Sequence, residues 1–199
     1  GKTQPNLLAG FSMGGNFALR VAALAPTLDI PLDATFAVSP AVRPFSTMQA
    51  LAKGPKLYHH YFRKKWRKSI RAKQAAWNGL YDFEAALKLE TLEEMTDFFI
   101  QSGLLPADNA KSYLEGYRVS DETINSIKTP TFILSASDDP VIPIRDITAL
   151  PNSPVLSTTI VKHGGHCGFI QNDRRSYINQ WIFSNLEQVI NNKNEQTSP

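Results

Sequence analysis

Apolar positions along this chain keep two rhythms. Three short runs are nearly continuous, Leu7–Ala9, Ala34–Ser39 and Thr131–Ala136, and a fourth, Val155–Val161, is apolar at both ends. They predict strands, the first of them buried on both faces as in a parallel sheet. Elsewhere the spacing is helical. Phe17, Leu19, Val21, Ala22 and Leu24 form a helix-compatible run that Pro26 stops. Tyr58, Phe62, Trp66 and Ile70 recur every four residues, with Leu57 and Tyr61 beside them in one apolar stripe. The other face carries Arg63, Lys64, Arg67, Lys68 and Arg71. Thr91-Leu92-Glu93-Glu94 has capping-box spacing and opens a helix through Met95, Phe98 and Phe99 that Gly103 should end. Further helices are predicted over Pro106–Glu115, Ile144–Leu150 and Asn172–Asn191, before a polar tail expected to be disordered.

Strands alternating with helices predict an α/β fold with a mostly parallel sheet. Roughly ninety residues between the second and third strands lack any strand pattern and read as an all-helical insertion. The expected division is 1–40 for the first part of the core, 41–128 for the helical insertion as a cap, 129–191 for the rest of the core, and 192–199 for the tail.

The first strand runs into Gly10-Phe11-Ser12-Met13-Gly14, a G-x-S-x-G sequence between a strand and a helix. Glycines at 10 and 14 would let strand and helix close on each other and lift the Ser12 hydroxyl clear of the sheet. The Met13 N–H, at the positive end of the helix, would then face an oxyanion forming on an attacked carbonyl. Five such residues alone also fit a Gly-rich helix cap, and a serine needs a base to become a nucleophile.

Composition narrows the picture. With 199 residues and 42% hydrophobic content the chain can bury a real core. Lys and Arg number 21 against 18 Asp and Glu, a balance too even for a nucleic-acid footprint. One cysteine excludes an internal disulfide and fits a reducing compartment, so a cytoplasmic location is expected. The longest apolar runs are far too short to span a bilayer. No signal peptide is visible, an absence that carries little weight in a chain opening on Gly1.

In a parallel sheet, sites form beyond the carboxyl ends of the strands. Ser12 follows the first strand, Asp138 and Asp139 the third, and His166 the fourth, so all should reach one rim. The chain order Ser…Asp…His is that of the α/β-hydrolases. Asp139 is preferred as the acid and Asp138 as a loop residue. His166, past the flexible Gly164-Gly165 pair, is preferred as the base over His163.

Three stretches together resemble the YheT-like α/β-hydrolases. They are Gly10-Phe11-Ser12-Met13-Gly14-Gly15-Asn16, Ala136-Ser137-Asp138-Asp139-Pro140 and His163-Gly164-Gly165-His166-Cys167-Gly168-Phe169. That family includes bacterial predicted esterases and eukaryotic medium-chain ethyl ester synthase/esterases. The resemblance implies an α/β-hydrolase fold with a helical cap, and hydrolysis of short- to medium-chain or lipid esters on Ser12, Asp139 and His166. No metal or organic cofactor is implied. Acyl transfer to an alcohol, or a non-catalytic interaction domain, are the alternatives. Family members also carry an N-terminal portion with the first strands and the second oxyanion-hole N–H. Its absence here implies that it comes from another polypeptide or a longer precursor, or that the chemistry is impaired.

Three features keep blander readings. The run Arg63-Lys64-Lys65-Trp66-Arg67-Lys68 reads as a solvated helix face, with an anionic lipid surface as the alternative. His59 and His60 lack partners at metal-ligand spacing, and Cys167 is taken as a small packing residue.

Overall fold

The computed structural model describes residues 4–77, 79–171 and 174–196. Its described residues form two compact units, one taking the chain up to Val42 and again from Arg118, the other Arg43–Tyr117.

The first unit is an α/β layer structure. Strands β1 (Leu7–Phe11), β2 (Ala34–Val38), β3 (Thr131–Ala136) and β4 (Leu156–Val161) make one parallel sheet in the order β1-β2-β3-β4. Helix α1 (Met13–Leu24) packs on β1 and β2 and is flanked by α7 (Asp121–Ser126), while α8 (Ile144–Thr148) returns the chain from β3 to β4. Alternation along the two central strands sends Phe36, Val38, Phe132 and Leu134 to one face, where Ile178, Trp181 and Val189 of α9 (Tyr177–Gln196) cover them. Phe36 stacks on Phe132 at 5.2 Å and meets Trp181 edge-on at 5.7 Å.

Three expectations change. The first strand is not buried on both faces: β1 is an edge, with Leu7 and Phe11 exposed beside Phe17, Val21 and Leu24 of α1. Its own composition cannot say whether a neighbour lies alongside. The last helix was expected from Asn172, which lies outside the described residues; it starts at Tyr177, after the positive φ of Arg174 (63°) and a bridge between Ile170 and Ser176. It then runs to Gln196 through most of the segment expected to be disordered, which holds no Gly or Pro to stop a helix before Pro199. Residues 197–199 lie outside the described residues.

The second unit is helical: α2 (Pro44–Lys53), α3 (Lys56–Ala76), α4 (Glu84–Lys88), α5 (Leu92–Gln101) and α6 (Ala110–Glu115). Met48, Leu51, Ile70, Phe83, Ala86 and Met95 are buried. The capping box is present, with Thr91 Oγ1 accepting from the Glu94 N–H at 3.1 Å and Glu94 Oε2 from the Thr91 N–H at 2.9 Å. Helix α6 begins at Ala110 and not Pro106, because Asn109 caps it and accepts from the Ser112 N–H. On α3 only Ile70 is buried; Leu57 and Tyr61 lie on the exposed face, outside the apolar stripe they were expected to join. Arg63 and Arg67 instead turn inward, both pairing with Glu90, and Arg67 donates to the Leu89 carbonyl at 2.8 Å.

Candidate active site

Ser12 sits where β1 gives way to α1, with φ 52° and ψ −120°, a conformation costly for any residue with a Cβ. Three backbone bonds hold it there. Its N–H donates to the Val38 carbonyl at 2.9 Å, and its carbonyl accepts from Asn16 and Ala41, each at 3.1 Å. Asn16, fully buried, fastens α1 to the segment after β2 by donating Nδ2–H to the Ala41 carbonyl at 2.8 Å. That asparagine was part of the motif without a role read for it.

The tight strand–helix crossing requires glycine at 10, position 15 is packed closely on Pro40, and position 14 makes no such demand. A Cβ on Gly10 would lie 2.1 Å from the Gly14 carbonyl oxygen, and one on Gly15 3.0 Å from Pro40 Cβ, whereas Gly14 has open space. Met13 is the first residue of α1, so its N–H has no acceptor within the helix.

Across the sheet rim, His166 Nε2 lies 3.0 Å from Ser12 Oγ, and His166 Nδ1 lies 3.1 Å from Asp139 Oδ2. Both side chains are enclosed, His166 at 10% exposure and Asp139 at 2%. The other Asp139 oxygen, Oδ1, accepts from the Val141 and Ile142 N–H groups at 2.8 and 3.0 Å, which aims the carboxylate from behind. Burial disfavours the His166 imidazolium. The bond to Asp139, with the Cys167 side chain also beside the ring, outweighs burial and pushes the His166 pKa up to about 9.

A second acid–base pair stands next to this one. Asp138 Oδ1 accepts from the Gly164 and Gly165 N–H groups at 2.9 and 2.8 Å, and Oδ2 lies 3.3 Å from Nδ1 of the largely exposed His163. The Gly165 and then the Gly164 N–H hold the Asp138 carboxyl below the usual carboxylate range. The pair fastens the loop that carries His166. Gly164 is accordingly no flexible link: a Cβ there would lie 2.7 Å from the Phe169 ring and 2.9 Å from Ala136 Cβ. Its carbonyl also accepts from Gly168 and Phe169. Positive φ at Gly165 (54°), Cys167 (64°) and Phe169 (46°) completes a tightly wound turn.

Among the described residues there is no group of three or more His, Cys, Asp or Glu that could hold a metal ion, and no helix long and apolar enough to cross a membrane.

The model of the alpha/beta hydrolase family matches residues 1–175. A protein of Escherichia coli (strain K12) named "Putative esterase YheT" is 27% identical over 197 residues, which are 92% of this chain and 56% of that protein. Among solved structures, the Pyrococcus furiosus esterase Pf2001 superposes with a TM-score of 0.50 at 16% identity, covering 96% of this chain and 54% of the other. The serine hydrolase CCSP0084 of Cycloclasticus zankles gives a TM-score of 0.50 at 20% identity, covering 94% of this chain and 64% of the other. At those identities the structural likeness speaks for the fold alone. The chain spans about half the length of the curated relative it matches.

Proposed function

The chain belongs to the alpha/beta hydrolase family, and from that premise we infer that it is a serine hydrolase of carboxylic esters, working through an acyl-enzyme on Ser12. The observation that carries the reading is the relay Ser12 Oγ, His166 Nε2, His166 Nδ1, Asp139 Oδ2, with contacts of 3.0 and 3.1 Å. Esterase is also the word in the name of the related Escherichia coli protein.

In this mechanism the neutral imidazole of His166 accepts the Ser12 proton at Nε2 as Oγ bonds to the ester carbonyl carbon. The carbonyl electron pair moves to oxygen, where the Met13 N–H stabilises it. Collapse breaks the bond to the alkoxy group, which leaves with the proton from Nε2. Water then repeats the cycle, its proton going to Nε2 and back to Oγ, and the acid is released. Asp139, fixed by the Val141 and Ile142 N–H groups, keeps the Nδ1–H tautomer and balances the charge of the imidazolium. Short- to medium-chain acyl or lipid esters are the substrates this reading covers. An alcohol in place of water at the second step would make the same site an acyltransferase.

Intact mass after exposure to a fluorophosphonate tests the proposal. One adduct on the folded chain and none on Ser12→Ala is the expected result; a folded chain that takes no adduct overturns it.

A further inference from the structure

We propose that the exposed face of α3 is a docking surface for an anionic phospholipid bilayer. Eight of the chain's 21 Lys and Arg residues stand on this one helix, and it holds no acidic residue. The rest of the chain is therefore left with more acid than base, so the positive charge is a local feature.

The eight cations are not equivalent. Arg63 and Arg67 are drawn inward to Glu90. Lys64, Lys65, Lys68 and Arg71 are exposed. At 100° per residue they fall in one arc, and Leu57 and Tyr61 fall in the same arc one to two turns earlier. Those two apolar side chains are 77% and 52% exposed. Lys65 Nζ lies over the Tyr61 ring at 5.4 Å, so aromatic and cationic groups form one continuous patch. Four like charges at i, i+3 and i, i+4 spacing repel one another along a helix, and no acidic residue on it relieves them. A sheet of anionic headgroups would relieve them.

The pairing of exposed Leu57 and Tyr61 with the basic cluster favours a bilayer over a nucleic acid. The apolar pair can enter the headgroup boundary while the lysines meet phosphate above it. Nothing in a phosphodiester backbone would reward exposing Leu57.

Sedimentation of the full chain with vesicles tests this. Vesicles of phosphatidylcholine alone are compared with vesicles carrying about one-third phosphatidylserine, and partition onto the latter should be at least about tenfold greater. About 1 M salt should abolish the difference. Replacing Lys64, Lys65, Lys68 and Arg71 together by Gln, with the fold checked by circular dichroism, should remove at least about tenfold of the binding. The single change Lys68→Gln, safer for folding, should remove about three- to fivefold. Equal partition onto both vesicles, or unchanged binding by Lys68→Gln, overturns the proposal. So does binding to a DNA duplex, at equal phosphate concentration, that matches or exceeds binding to the anionic vesicles.

Discussion

Two aspartate–histidine pairs lie side by side in the sheet-bearing unit, built from adjacent aspartates and from histidines three residues apart. Asp138 meets His163 at 3.3 Å, and Asp139 meets His166 at 3.1 Å. Residue types and distances barely differ; surroundings do. Asp138 spends one oxygen on two N–H groups of the loop, and its histidine is 75% exposed. A water-screened pair of that kind contributes little energy and less chemistry, so its work is to fix a turn. Asp139 and His166 are enclosed, and the free edge of the imidazole points at a serine hydroxyl. The lesson is that burial and the third partner, more than the identity of the pair, separate the proposed proton relay from a clasp.

Removing each histidine in turn separates the two pairs most strongly. His166→Ala should lower ester hydrolysis by about 10⁴-fold or more, whereas His163→Ala should leave kcat/KM within about threefold. Comparable losses in the two variants would erase the distinction.

The aspartates carry the same distinction. Asn at 139 could still accept from the Val141 and Ile142 N–H groups, but its NH₂ would face His166 Nδ1 and force the wrong tautomer. Asp139→Asn should therefore cost about 10³- to 10⁴-fold in kcat with little change in KM. Asp138→Asn should cost about tenfold at most, together with a lower melting temperature, because the Gly164–Gly165 turn loses its charged acceptor. Steady-state kinetics beside thermal unfolding separates the two effects.

The smallest effect is a shift in pH dependence. His166 is raised from its ordinary 6.5 to about 9, and only its neutral form can take the serine proton. The ester kcat/KM should thus rise with pH, with a midpoint above 6.5, and Asp139→Asn should move that midpoint toward acid. Asp138→Asn should leave it in place. The same raised value links to folding with the opposite trend. The stabilisation from the His166–Asp139 bond is fully present below pH 6.5 and is lost as pH rises through about 9.

How much of this could be read without a structure depends on the range of the cause. The strand–turn–helix around Ser12 and the strand ends carrying Asp139 and His166 are local patterns, and periodicity finds them. Three misreadings share a different origin. Gly164 looked flexible because composition does not distinguish a mobile glycine from one pressed against Phe169 and Ala136. Arg63 and Arg67 were read as an outer face because Glu90, more than twenty residues on, is invisible to a helical wheel. The strand β1 was read as buried on both faces because its apolar side chains do not reveal what covers them.

That last strand has a practical corollary. The outer edge of β1 has unpaired backbone groups in the described sheet, and Leu7, Phe11, Phe17 and Val21 stand exposed around it. Attraction between such surfaces is driven by water release and weakens on cooling. Storage in the cold and at low concentration should keep preparations of this chain monodisperse, and warming a concentrated stock is the step at which turbidity would begin.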